Sequence, residues 1–157
     1  MSIQKHHYKS QIKWTGNTGT GTQDYTSYER SHDIIIDQKN TINGSSDPAF
    51  RGEKTKHNPE ELFLSSISAC HMLWYLHFCS VENIIVTDYT DNAEGIMVEE
   101  NNGKGRFVEI TLHPLVKIND QTKIDLATKL HEKANEYCFI ANSLNLKVNH
   151  QVKIEAI

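Results

Sequence analysis

The longest apolar run in this chain follows neither of the two periods that mark half-buried elements. From Leu62 to Phe78, LFLSSISACHMLWYLHF, apolar residues fall on nearly every face of a helix: Leu62, Phe63, Leu64, Ile67, Ala69, Met72, Leu73, Trp74, Leu76 and Phe78. A helix apolar all round is a buried one. Its start is written in Asn58-Pro59-Glu60-Glu61. Asn before Pro is held extended, as an N-cap must be. Pro at the first helical position loses no hydrogen bond, and the two glutamates meet the positive end of the helix dipole. Asn58 and Glu61 also have the spacing of a capping box. The run is long enough for a membrane span. Ser65, Ser66, Ser68, His71 and His77 interrupt it, however, and the rest of the chain is polar, so a central core helix over 57–80 is expected.

Elsewhere the periods are ordinary. Ile124, Ala127, Leu130, Ala134 and Tyr137 recur at three and four, predicting a second, amphipathic helix over 120–137. Strict alternation marks the C-terminus. Leu144, Leu146, Val148, Val152, Ile154 and Ala156 share one face of a predicted half-buried strand. Residues 3–14, Tyr25–Tyr28 and Asp33–Gln38 also read as strands, with Gly16, Gly19 and Gly21 in a loop between the first two. Asn43-Gly44 predicts a turn, and residues 44–54 form a long irregular approach to the helix. After the helix, residues 84–99 predict strand with a break at Asp91-Asn92. Asn101-Asn102-Gly103 predicts a hairpin turn into a strand from Arg106 to Ile118, where Pro114 argues for an edge or a bulge. The sum is an α+β fold: two principal helices, the central one buried, on a mainly antiparallel sheet. One domain over 1–157 is expected.

Composition narrows the partners. A net charge of −4 gives no reason to expect nucleic acid or an anionic membrane surface. The opening residues MSIQKHHYKS lack the apolar core of a signal peptide, and three widely spaced cysteines suit a reducing cytoplasm better than a disulfide scaffold. Nine histidines invite a metal reading, but none is expected. Cys70 and His77 share a face yet stand about 10 Å apart along a helix, and His71 points elsewhere.

Cys70, in the middle of the central helix, is by pattern alone a small buried hydrophobe. Cys79 is half a turn out of phase with it and reads as core. A motif changes the reading of Cys70. HNPEELFLSSISACHMLWYL, over 57–76, resembles the Asn-Pro-Glu-Glu-Leu…Ala-Cys signature of the OsmC/Ohr family of thiol peroxidases, the osmotically inducible and organic hydroperoxide resistance proteins, and its OsmC-like branch in particular. ANEYCFIANSL, over 134–144, resembles the family's second-cysteine motif, with Phe139 where the family usually has Pro.

The resemblance implies a cysteine-based peroxidase that reduces organic hydroperoxides, and hydrogen peroxide as an alternative, without a cofactor. It makes Cys70 the attacking thiolate and Cys138 the resolving thiol. An external dithiol would be the reductant. Cys70 lies too far into its helix for the dipole to activate it, so a cation is required. The family uses an Arg from the N-terminal half, held by a Glu. Glu60, ten residues before Cys70, matches that Glu, and Arg51 or Arg30 matches the Arg, with Arg51 preferred. Phe63, Met72 and Trp74 are candidate apolar neighbours for an organic substrate. Ten helical residues separate Glu60 from Cys70 by about 15 Å. A shared site therefore implies a homodimer in which a second, antiparallel copy of the helix brings the two together. The rival reading is a non-catalytic small-molecule-binding or redox-sensing domain of the same family.

Overall fold

The isoleucine run near the N-terminus becomes the middle strand of a small sheet. In the computed structural model, which describes residues 3–157, the chain divides into two compact units, one up to Leu62 and one from Phe63 onward. In the first unit, β1 (Gln11–Trp14), β2 (His32–Ile35) and β3 (Ile42–Gly44) pair antiparallel in that order. Of the strand expected over 3–14, only these last four residues form one. No strand forms over Tyr25–Tyr28. There Asp24 Oδ1 accepts both the backbone N–H and the hydroxyl of Thr26, closing a local turn that competes with strand pairing.

Asn43-Gly44 is the end of β3 rather than a turn. The chain reverses earlier, around Gln38, whose φ is 60°. Glycine at 44 answers a need for space: a Cβ there would fall 2.3 Å from Nε2 of His32, its cross-strand partner. The following loop holds one 3-10 turn, Pro48–Phe50, with the Asp47 carboxylate accepting the Ala49 N–H at 2.7 Å.

The central helix, α1 (Pro59–Val81), begins as its sequence dictates. Asn58 Oδ1 accepts the Glu61 N–H at 2.8 Å and Glu61 Oε2 accepts the Asn58 N–H at 3.2 Å, a complete capping box. It ends with Asn83 in the left-handed region (φ 55°) while the Ile84 N–H reaches back to the Cys79 carbonyl at 2.8 Å. That is the Schellman arrangement, with Asn in the place of Gly. Its burial is one-sided. Ile67, His71, Tyr75, Phe78 and Cys79 are buried, whereas Leu73 is 63% exposed. An apolar residue on every face therefore did not mean burial of every face in the single chain. Partners bury fully only the stripe that recurs at four, four and three, with Cys79 beside its end, and leave Phe63, Leu64, Trp74 and Leu76 half-buried at its margins.

In the second unit three long stretches run side by side and each breaks once, at the same level. β4 (Val86–Asp91) and β5 (Glu94–Glu99) part at Asn92–Ala93, one residue beyond the break expected at Asp91-Asn92. β6 (Gly105–Leu112) and β7 (Pro114–Ile118) part at His113. Beyond α2 (Ile124–Tyr137), β8 (Val148–His150) and β9 (Lys153–Ala156) part at Gln151–Val152. The sheets are β4-β7-β9 and β5-β6-β8. β4 and β5 pair antiparallel with β7 and β6, while β8 and β9 run parallel to β6 and β7. The single strands expected over 106–118 and 144–156 are thus each two. Pro114 lies neither at an edge nor in a bulge. It opens a central strand, where the break leaves its missing N–H without consequence. The predicted hairpin turn forms, with Gly103 at φ 80°.

Asp91 holds the break together. Its Oδ1 accepts the His113 N–H at 2.7 Å, and its Oδ2 accepts the Ser68 hydroxyl of α1. Two apolar clusters flank this level. Tyr75, Phe78 and Cys79 of α1 pack with Val116, Ile118 and the α2 face Ala127, Leu130 and Ala134. Ile67 packs with Ile110, Leu112 and Val148. Tyr137, expected in the buried stripe of α2, is 47% exposed.

Where the two clusters meet, the core turns polar. His71 Nε2 lies 2.9 Å from His131 Nδ1, the His71 ring stacks 4.4 Å from that of His150, and Tyr75 covers His131 at 3.8 Å. The outer nitrogens of all three imidazoles, His71 Nδ1, His131 Nε2 and His150 Nε2, are buried without a partner. Burial drives His71 and His131 down to about 3, with neighbouring imidazoles adding to the effect. A folded state that refuses protons the unfolded chain accepts loses stability as pH falls from about 6.5, the free imidazole value, towards the folded values. The urea midpoint should therefore drop between pH 6.5 and pH 3, and drop less in His131→Gln. Equal declines in both proteins would place the acid sensitivity on carboxylates instead.

Candidate thiol site

Two ends of the second unit meet at sulfur. Cys70 sits on α1 one residue before the buried His71, which leaves its thiol partly exposed at the border of the buried stripe. Cys138 is the C-cap of α2, where the backbone turns extended (φ −66°, ψ 108°) and the chain enters a short 3-10 turn, Ala141–Ser143. That turn faces its N–H groups back at the cap: Ala141 donates to Cys138 Sγ at 3.4 Å and Asn142 to the Cys138 carbonyl at 3.0 Å. Burial pushes the Cys138 thiol up to about 11, the Ala141 N–H opposes that rise, and the Cys70 thiol beside it adds to it. Both cysteines are free thiols, 68 residues apart in sequence and adjacent in space. At neutral pH Cys138 is therefore a protonated thiol.

Cys79 is elsewhere, 1% exposed in the apolar cluster, and burial pushes its thiol up as well. Half a turn of phase was enough to separate its place from that of Cys70.

The two candidate arginines lie in the first unit, on one polar cavity of about 350 Å³ shared with Glu29, Ser31, Ser45 and Glu53. Their states differ. Arg30 donates to the carbonyls of Tyr28 and Tyr25 and lies 4.1 and 4.3 Å from the centroids of those two rings. Arg51 follows the 3-10 turn with φ at 65° and lies 5.9 Å from the centroid of the Tyr25 ring. Hydrogen bonds from Thr26 hold the Asp24 carboxyl below its usual range, and the Arg51 charge helps to do so. Among the described residues the Arg51 guanidinium has no ion pair. Glu60 pairs with neither arginine in that unit, and its neighbour Glu61 is the one that closes the cap. No three His, Cys, Asp or Glu side chains converge in a metal-binding group among the described residues.

Residues 52–153 match the family described as OsmC-like protein. The chain belongs to that family. Solved structures agree in fold. An OsmC-like protein of unknown function from Vibrio cholerae superposes with a TM-score of 0.85 at 28% identity, over 95% of this chain and 100% of its own. An OsmC-like protein from Mycoplasma pneumoniae gives 0.70 at 20% identity, over 96% and 99%. An organic hydroperoxide resistance protein from Elizabethkingia anophelis gives 0.68 at 21% identity, over 98% and 100%. No curated protein matches the chain.

Aromatic residues flank both cysteines in this OsmC-like chain. Trp74, one turn after Cys70, packs against Tyr137 and Phe139, the residues on either side of Cys138, with ring centroids 5.3 and 5.5 Å away. Of the apolar neighbours proposed from sequence, Trp74 is thus placed against the residues that flank Cys138. Phe63 instead stacks on Phe107 at 5.1 Å, and Met72 lines a separate cavity of about 440 Å³ with Ser65, Ser68 and Ala69. The sequence reading missed Tyr137 as a partner of Trp74. It also missed the buried imidazoles, since nothing in the spacing of His71, His131 and His150 signals that they meet. Phe139 carried a signal, as the departure from Pro beside a cysteine.

Proposed function

We propose that this protein is a thiol peroxidase that reduces organic hydroperoxides, with hydrogen peroxide as a poorer substrate, in a reducing cytoplasm. One observation carries the reading: two free thiols from distant parts of the sequence stand together in a chain of the OsmC-like family. The Cys70 thiolate attacks the outer peroxide oxygen. The O–O bond breaks, the leaving alkoxide takes a proton as the alcohol, and Cys70 becomes a sulfenic acid. The Cys138 thiol, deprotonating as it attacks, displaces hydroxide from that sulfur, so that water and a disulfide result. An external dithiol then reduces the disulfide and is itself oxidised.

A neutral Cys138 fits the second role, since a protonated thiol does not compete with Cys70 for peroxide. Cys70→Ser should abolish peroxide consumption, and Cys138→Ser should allow one turnover and leave a sulfenic acid trappable at Cys70. Thiol-dependent turnover in Cys70→Ser would sink the mechanism.

For the cation that holds the Cys70 thiolate, Arg51 is assigned over Arg30, because Arg30 already spends its guanidinium on two carbonyls. Arg51→Ala should raise the apparent pKa of Cys70 in an alkylation-rate titration, and Arg30→Ala should not. The opposite result reassigns the role to Arg30.

Glu60 would steady that arginine. It precedes Cys70 by ten residues of an unbroken helix, about 15 Å along the axis, so its part in the site would come from a second copy of the chain. A homodimer with shared sites is therefore included in the proposal. Refolding a mixture of inactive Cys70→Ser and Glu60→Ala proteins should recover about a quarter of wild-type activity, the yield for random pairing in a two-fold dimer. No recovery, with mixed dimers seen by native mass spectrometry, would confine each site to one chain.

A further inference from the structure

An aromatic surface lies beside the stretch that carries Cys138. Four rings interlock there. Trp74 packs against Phe78 at 5.5 Å, Tyr137 at 5.3 Å and Phe139 at 5.5 Å, and Tyr137 meets Phe78 edge-on at 5.2 Å. Phe78 anchors the group in the core at 6% exposure, whereas Phe139 is 67% exposed and Tyr137 47%. Leu73, Trp74 and His77 line a shallow apolar cavity of about 310 Å³ on the same part of α1. At 67% exposure Phe139 buries little apolar area, and its recorded ring contact is the edge-on one with Trp74.

Position supplies the link to chemistry. Trp74 follows Cys70 by one helical turn, a rise of about 6 Å, so the two share a face. A hydroperoxide with its outer oxygen on the Cys70 sulfur and its organic group turned towards the following turn of α1 would meet Trp74 first. Flat rings in edge-on and offset packing prefer another ring to a chain of equal apolar area. Resting on the peroxidase reading above, we propose that Phe139, packed edge-on against Trp74, is the specificity-determining residue that selects aryl hydroperoxides over linear alkyl ones. Phe139 itself takes no part in bond making.

The test compares cumene hydroperoxide with linear nonyl hydroperoxide on wild type and on Phe139→Leu, which keeps the apolar bulk and loses the ring. The aryl-to-alkyl ratio of kcat/KM should fall about three- to ten-fold in the variant, the worth of one aromatic pair beyond its area, and the change should lie in KM. An unchanged ratio overturns the inference, as does an equal loss on both substrates. The matching unreactive alcohols, 2-phenyl-2-propanol and 1-nonanol, separate this failure from failure of the peroxidase reading. If neither hydroperoxide is consumed, a calorimetric preference for the aryl alcohol that Phe139→Leu abolishes still upholds the aryl site, and no such preference ends it. Sedimentation of both proteins covers the other occupant: dissociation of a dimer on Phe139→Leu would make the surface an interface between copies and overturn the assignment.

Discussion

The structure of the second unit depends on how α1 is turned about its own axis. Ile67, His71, Tyr75, Phe78 and Cys79 are the residues it buries, and a helix with apolar side chains on most faces could have been buried along several stripes. What selects this one is its neighbours. Ile67 meets the strand residues Ile110 and Leu112, and Phe78 and Cys79 meet Leu130 and Ala134 of α2. Each such side chain is worth about 1.5–3 kcal/mol when withdrawn from water, so a rotation that exposed the stripe would cost several of them at once. With that phase fixed, Cys70 falls at the border of the stripe, and Cys79 falls inside it. One thiol is left partly exposed and the other is packed in the core.

The same phase buries His71, and here the core accepts a cost. Three imidazoles with unpartnered outer nitrogens would be cheaper as aliphatic side chains, because a buried polar atom without a partner forfeits its hydration. Their ring stacking and the single His71–His131 contact recover part of that cost. The cluster joins α1, α2 and the end of β8, so the elements that carry Cys70 and Cys138 are tied through it.

Asp91 performs a comparable task for the sheets. Three neighbouring stretches break at one level, which would leave backbone N–H groups without strand partners. The carboxylate takes the His113 N–H, and the Leu112 carbonyl takes that of Gln151 at 2.8 Å. Through Ser68 the same carboxylate fastens α1 to the break. Sheet geometry and helix position are therefore coupled at one side chain.

Much of the local chemistry was written in the sequence. Asn58, Pro59 and Glu61 start α1, the Asn101–Gly103 turn makes the hairpin, and α2 follows from apolar spacings of three and four, because each of these depends on residues within a few positions of one another. The family was legible for the same reason, as two contiguous motifs around Cys70 and Cys138. Tertiary structure decided what depends on distant partners. Alternation from Leu144 to Ala156 reads as one strand, and only the break shared with two other stretches divides it. Asn43-Gly44 reads as a turn, and only the His32 ring across the strand explains its glycine. Nothing along the chain relates His71 to His131 and His150, or Trp74 to Phe139. Those meetings are set by which stripe of α1 is buried and where α2 lies against it, and contact free energy between residues sixty positions apart leaves no period to read.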